Sequence, residues 1–205
     1  HRAGRGRSAG QPADPRSARG ARRRYGGLTN HLLSTKAIDM TQTPASKVST
    51  APTSPMYLDD LSVGDQFQSG EHAMDEAQIT TFAEQFDPQP FHLDDAAARE
   101  TLFGGLAASG WHTAAVTMRL QVTSGLPIAG GIIGAGGELS WPRPTRATDV
   151  LHVVSEVVQI QPSKSKPDRG LVTVRSETRN QHGDVLQLST CLLYTSDAAD
   201  DMQCV

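Results

Sequence analysis

From Met56 onward the apolar positions keep time, first at helical spacing and then in extended runs; before it they show no period. YLDDLSVGDQFQSGEHAM mixes polar and apolar residues around the turn signal Val63-Gly64-Asp65 and predicts a short first strand. Asp75 precedes EAQITTFAEQF with Gln78 three positions on, the signature of a capped helix start. Ile79, Phe82 and Phe86 fall at helical spacing in that run and are expected to face inward. Pro88 ends the helix, because the residue before a proline is pushed out of the α region.

LDDAAARETLF predicts a second, short helix whose Asp94 and Asp95 suit its positive N-terminal end. Glycines break up FGGLAASG, after which WHTAAVTMRLQVTS reads as a longer helix closed by Gly125. Trp111, Ala115, Met118 and Val122 share one face of it, and a helix with so much apolar surface is expected inside the protein. Four strand-like runs follow: IIGAGGELSW, VLHVVSEVVQI, GLVTVRSETRN and VLQLSTCLLY, separated by PRPTRATD, QPSKSKPDRG and QHGD. Helices first and an antiparallel sheet afterwards predict an α+β domain, one buried helix packed on a curved sheet.

The 205 residues suffice for one sizeable core, and a 37% apolar content with a mean hydropathy of −0.38 describes a soluble globular chain. No run approaches the ~18 apolar residues that span a bilayer, and no signal peptide is recognisable. Residues 1–55 read as an unstructured leader and Pro/Ser/Thr linker, unable to offset its ordering entropy by burial. Its first 24 residues hold eight Arg against one Asp. That run is either an arm attracted to RNA or membrane or, since Met40 and Met56 could each start the protein, upstream sequence translated without selection. The ending CLLYTSDAADD resembles the translation of a transposase adapter from sequencing libraries, which sets residues 191–205 apart from the functional reading. The domain itself is read as residues 56–190. Between Met56 and Thr190, nine Lys and Arg face seventeen Asp and Glu, a formal −8 that disfavours nucleic acid and membrane as partners. Cys191 and Cys204 form no metal spacing and point to a reducing, cytoplasmic compartment.

FDPQPFH, residues 86–92, carries the chemistry. Pro88 and Pro90 stiffen the connection between Asp87 and His92, so a carboxylate and an imidazole keep a fixed separation. An anionic carboxylate beside a group that titrates near neutrality can shuttle a proton. The same pair also reads as a turn-capping Asp and a structural His.

The longer pattern resembles the MaoC-like family, whose best-characterised members are (R)-specific enoyl-CoA hydratases of the hot-dog fold. D-P-Q-P-F-H follows the family's D-x-N-P-[LIV]-H, with Asp87 and His92 on its aspartate and histidine. FGGLAASGW follows F-x-x-P-I-[AV]-H-G-M, with Phe103 on the Phe, Ser109 on the His and Gly110 on the Gly. ELSWPRPTRATDVL is similar to the family's strand-turn segment, with Asp149 at its Pro-Gly-Asp turn.

The resemblance implies a hot-dog fold and a cofactor-independent hydratase acting on a trans-2-enoyl thioester, or dehydratase in reverse. Asp87 and His92 would hold one water, and the Gly110 N–H would face the thioester oxygen as negative charge grows there. Gly110 otherwise reads as helix-entry punctuation. The chain departs from the pattern at Gln89, Phe91 and Ser109, which are expected to shape the loop and pocket. Trp111 lines the acyl tunnel or belongs to the core. The thioester carrier is coenzyme A or acyl carrier protein, and Arg143 with Arg146, or Lys164, Lys166 and Arg169, are the cations available for its phosphates, unless they are solvated turns. No metal or other cofactor is expected, since His72, His112, His152 and His182 have no metal spacing. Hot-dog domains pair through their sheets, which implies a homodimer or larger even assembly. A non-catalytic acyl-CoA-binding protein and an acyl-CoA thioesterase are the alternative activities.

Overall fold

The computed structural model describes residues 49–50, 54–166 and 168–196. The Arg-rich run and the last nine residues, read above as leader and adapter, lie outside the described residues. Two residues of the expected linker, Ser49–Thr50, form β1, which pairs in parallel with Phe67 and Gln68. An open strand edge accepts any extended backbone, so composition did not reveal it.

The region read as one first strand divides into a 3-10 turn at Leu58–Asp60, β2 (Gln66–Gln68) and β3 (His72–Ala73). The first helix, α1, spans Glu76–Phe86, and Asp75 caps it by accepting from Gln78 N at 2.8 Å. Gln78 returns the bond from its amide to Asp75 Oδ2 at 2.6 Å. Ile79 and Ala83 are buried, whereas Phe86 is exposed and leans on Phe82, ring centroids 5.0 Å apart. The inward expectation therefore fails for Phe86: the chain turns away at Asp87, and among the described residues no element covers its ring. Pro90 opens the single-turn helix α2 (Pro90–Leu93) at the position where its missing N–H costs nothing. Asp94 then caps α3 (Asp95–Arg99), accepting from Ala97 N at 2.7 Å.

The central helix α4 runs Gly110–Leu120 and widens into a π turn at Gln121–Gly125. Its buried face holds His112, Thr113, Val116, Thr117 and Leu120. Trp111, Ala115, Met118 and Val122 face outward, the reverse of the expectation. The inner face is polar because the sheet and the β4–β5 connection opposite it carry hydroxyls: Thr113 meets Thr145 of the connection at 2.9 Å, Thr117 meets Thr178 at 2.6 Å, and Gln121 donates to Ser176 at 2.9 Å. Satisfied pairs of this kind make burial cheap for residues a hydropathy pattern assigns to solvent.

The four later strands form where their alternation places them: β4 (Ile133–Ser140), β5 (Val150–Pro162), β6 (Arg169–Arg179) and β7 (Val185–Ser196). β7 continues six residues past Thr190 in unbroken register with β6. The sheet order is β1-β2-β5-β6-β7-β4, antiparallel throughout except β1–β2, with β3 also on β5. Leu151, Val153, Ser155 and Val157 of β5 point inward at alternate positions. The core lies between sheet and helices, with Ile79, Val116, Leu120, Leu151 and Leu186 at the end nearest α1 and Phe67, Leu126, Val157, Val172 and Leu193 at the other. Each such side chain contributes about 2 kcal/mol by leaving water. The result is the α+β layer arrangement the element order predicts.

Candidate active site

Asp87 sits just past the end of α1, anchored by its N–H to Ala83 O at 2.9 Å. The chain stays extended through Pro88 and turns into α2, which buries His92 to 4% exposure. The short connection brings His92 Nε2 to 3.4 Å from Asp87 Oδ2. His92 Nδ1 lies 2.7 Å from Ala107 O. A carbonyl only accepts, so Nδ1 carries a proton, and in the neutral ring Nε2 is then the bare nitrogen that faces Asp87.

Asp87 is held from two more sides. Ser109 Oγ donates to Oδ2 at 2.6 Å and Gln89 Nε2 donates to Oδ1 at 2.6 Å. Burial alone would raise the Asp87 carboxyl, but these two hydrogen bonds and the neighbouring His92 outweigh it and keep the group below its ordinary value. Asp87 is thus held as a carboxylate, with His92 Nε2 facing it across a gap that a water oxygen could bridge.

Both groups face a cleft of about 560 Å³. Gln89, Phe91, Ser109, Gly110, Trp111 and Arg143 line it too, so the structure brings together the sequence-predicted site residues except Arg146 and the alternative cations Lys164, Lys166 and Arg169. Phe91 meets the His92 ring edge-on at 4.5 Å, and Phe103 lies tilted against both rings. Gly110 opens α4, and among the described residues its N–H has no acceptor, as first-turn amides do not within a helix. A Cβ on Gly110 would stand 2.9 Å from the Trp141 ring, so glycine is required there by close approach. Trp111 is exposed and meets Trp141 edge-on at 5.6 Å, which makes it cleft wall and not core.

The predicted cations separate. Arg143 lines the cleft and pairs with Asp184. Arg146 departs from its expected place: half-buried, it spends its guanidinium on the carbonyls of Phe103, Gly105 and Leu106. Lys164, Lys166 and Arg169 sit at the β5–β6 hairpin, roughly 40 Å of strand from the end of β5 nearest the cleft. Sequence reasoning missed Thr113, Trp141 and Thr145 as lining. The only signal for Trp141 was a lone aromatic before the Pro-rich turn. Further along, between α4 and β4, a mainly apolar cavity of about 320 Å³ is lined by Met118, Gln121, Leu126, Ile132, Leu139 and Leu193 among others. Among the described residues no three His, Cys, Asp or Glu come together as a metal site, and no helix is long and apolar enough to cross a membrane.

The model of the MaoC like domain family matches residues 42–180. Uncharacterized protein YdeM of Bacillus subtilis (strain 168) is 33% identical over 129 residues, covering 62% of this chain and 89% of that protein. Among solved structures, a MaoC-like dehydratase from Rhodospirillum rubrum is 62% identical with a TM-score of 0.69, covering 69% of this chain and 97% of its own. The R-hydratase PhaJ1 from Pseudomonas aeruginosa, in its unliganded form, is 26% identical with a TM-score of 0.57 over 70% of this chain and 87% of its own. The sheet and central helix are those of the hot-dog fold.

Proposed function

Since the chain belongs to the MaoC-like domain family, we propose that it is a hydro-lyase that adds water across the C2=C3 bond of a trans-2-enoyl thioester, or removes it in reverse. The observation that carries this reading is the 3.4 Å approach of Asp87 Oδ2 to His92 Nε2 at the wall of a cleft that Gly110 also lines. Neighbours described as a dehydratase and an R-hydratase support the reaction class.

In this reading Asp87 and His92 each accept one hydrogen of a bound water, which turns its oxygen lone pair toward C3. The oxygen attacks C3 while one O–H proton passes to the pair. The π electrons of C2=C3 move toward C2 and the thioester oxygen, where the Gly110 N–H stabilises the growing charge. The resting pair holds no spare proton, so the proton that then reaches C2 is the one taken from water. Both new bonds therefore form on the same face of the alkene, and water's atoms are fully accounted for.

Coenzyme A or acyl carrier protein is the proposed carrier of the thioester, and the apolar cavity between α4 and β4 takes the acyl group's far end. A second copy of the chain covers the outward face of α4 and the exposed strand β4. The test is loss of the enoyl absorbance of crotonyl-CoA. Asp87→Ala and His92→Ala should each slow it about 10²- to 10⁴-fold. Unchanged rates in both variants would sink the assignment, and release of free thiol would point to a thioesterase.

A further inference from the structure

Arg146 follows the Pro-rich turn after β4, with its N–H donating to Asp149 Oδ2 at 2.7 Å. Its Nη1 donates to Gly105 O at 2.7 Å and Leu106 O at 2.8 Å, and its Nη2 to Phe103 O at 2.5 Å. Carbonyls so close in sequence converge on one point because the chain turns at Gly104 and Gly105, with φ of +61° and +152°. Asp95 ties the other side of this loop, its Oδ1 accepting from Leu106 N at 2.9 Å.

The next residue is Ala107, fully buried, whose N–H donates to Phe91 O at 3.2 Å and whose carbonyl accepts from His92 Nδ1 at 2.7 Å. We propose that Arg146 is a positioning residue: by clamping the carbonyls of Phe103, Gly105 and Leu106 it fixes the Ala107 carbonyl, which keeps the His92 proton on Nδ1 and Nε2 bare toward Asp87. Were that carbonyl to drift, the proton would gain nothing from Nδ1. It would move to Nε2, bond to Asp87 Oδ2, and occupy the place a shared water must take. The role needs arginine, because a planar fork with several donors can meet three carbonyls and a single ammonium nitrogen does so poorly.

The activity consequence rests on the hydratase reading; the tautomer does not. The direct test is the ¹⁵N chemical shifts of the His92 ring in the unliganded protein, at a pH where the ring is neutral. Wild type should show one tautomer, protonated at Nδ1. Arg146→Met should show a mixture, with kcat for crotonyl-CoA lower by about a hundredfold and KM little changed, as for a misplaced group. Added guanidinium should return part of that rate to Arg146→Ala. A single Nδ1-protonated tautomer in folded Arg146→Met overturns the proposal, as does a raised KM with kcat intact, the pattern of a phosphate contact. If Arg146→Met does not fold, Arg146→Lys, which keeps the charge and stem, carries the comparison. Unfolding of both would make the residue structural and also overturn the proposal. The shifts need no turnover, so they decide the matter even if the protein hydrates no enoyl thioester.

Discussion

Ser109 Oγ donates to Asp87 Oδ2 at 2.6 Å while accepting from Trp111 N at 3.2 Å, so one hydroxyl joins the carboxylate to the first turn of the central helix. The family pattern has histidine at this position. Serine keeps a donor in a smaller volume, next to Gly110 at the cleft wall. Asp87 and the start of α4 are therefore tied to each other by one side chain.

Ser109→Ala removes a donor that holds Asp87 below its ordinary value, while the burial that raises it remains. The Asp87 carboxyl should rise, and the acid limb of the kcat/KM–pH profile should move to higher pH. Stability follows the same sign. A depressed carboxyl contributes stability that is present above its unfolded value, near 3.8, and lost as pH falls through the lower folded value. Raising the folded value toward 3.8 erodes that contribution, so the acid-unfolding midpoint should also rise. An acid limb and unfolding midpoint both matching wild type would show that Ser109 does not tune the carboxylate.

Much of this arrangement was legible in the chain. The Asp75 cap, the strand runs and the Asp87–His92 spacing are local signals, written in residues near one another. What failed depended on distant partners. The inner face of α4 is polar because of Thr145, Thr178 and Ser176, 32 to 61 positions away from the residues they meet. Arg146 was counted as a free cation because the three carbonyls it holds lie about forty positions earlier. Phe86 and Trp111 look like core by hydropathy, yet they border a turn and a cleft.

Thr117 and Thr178 give a stability test of the polar helix–sheet seam. Both are at most 3% exposed, and their hydroxyls pair at 2.6 Å. Thr117→Val keeps the shape but strands the Thr178 hydroxyl, at a cost of about 1–3 kcal/mol. Thr117→Val combined with Thr178→Val removes both partners and should recover most of that loss. Denaturant midpoints of Thr117→Val, Thr178→Val and the double variant check it, and a double loss equal to or greater than the sum of the two single losses would contradict the pairing.

Gly110→Ala places a methyl 2.9 Å from the Trp141 ring, which is itself held by its Nε1 donating to Gln187 Oε1 at 2.8 Å. The indole must shift or the start of α4 must move. Moving the helix start displaces the proposed oxyanion donor, so hydration of crotonyl-CoA should fall about a hundredfold. Gly110→Ala with Trp141→Leu restores the space and should recover part of the rate. A single variant as fast as wild type would mean that the amide's position does not matter.

The outward faces of α4 and β4 carry the last expectation. All eight residues of β4 are exposed, and its outer edge has no partner strand among the described residues. Val122 and Ile133 are 60% and 57% exposed, and Trp111, Met118 and Leu139 add apolar area on the same two elements. An unpaired edge beside so much apolar surface is what a subunit interface looks like when one copy is viewed alone. Wild type should sediment with the mass of two chains, or a larger even number, at micromolar concentration. Val122→Glu with Ile133→Glu places charges of one sign where a single chain is already wet, so each protomer should keep its fold, read by circular dichroism. The assembly should fall to one chain, because burying two unpaired charges at the contact costs more than it returns. A wild-type mass of one chain would refute the second copy as the cover for this face.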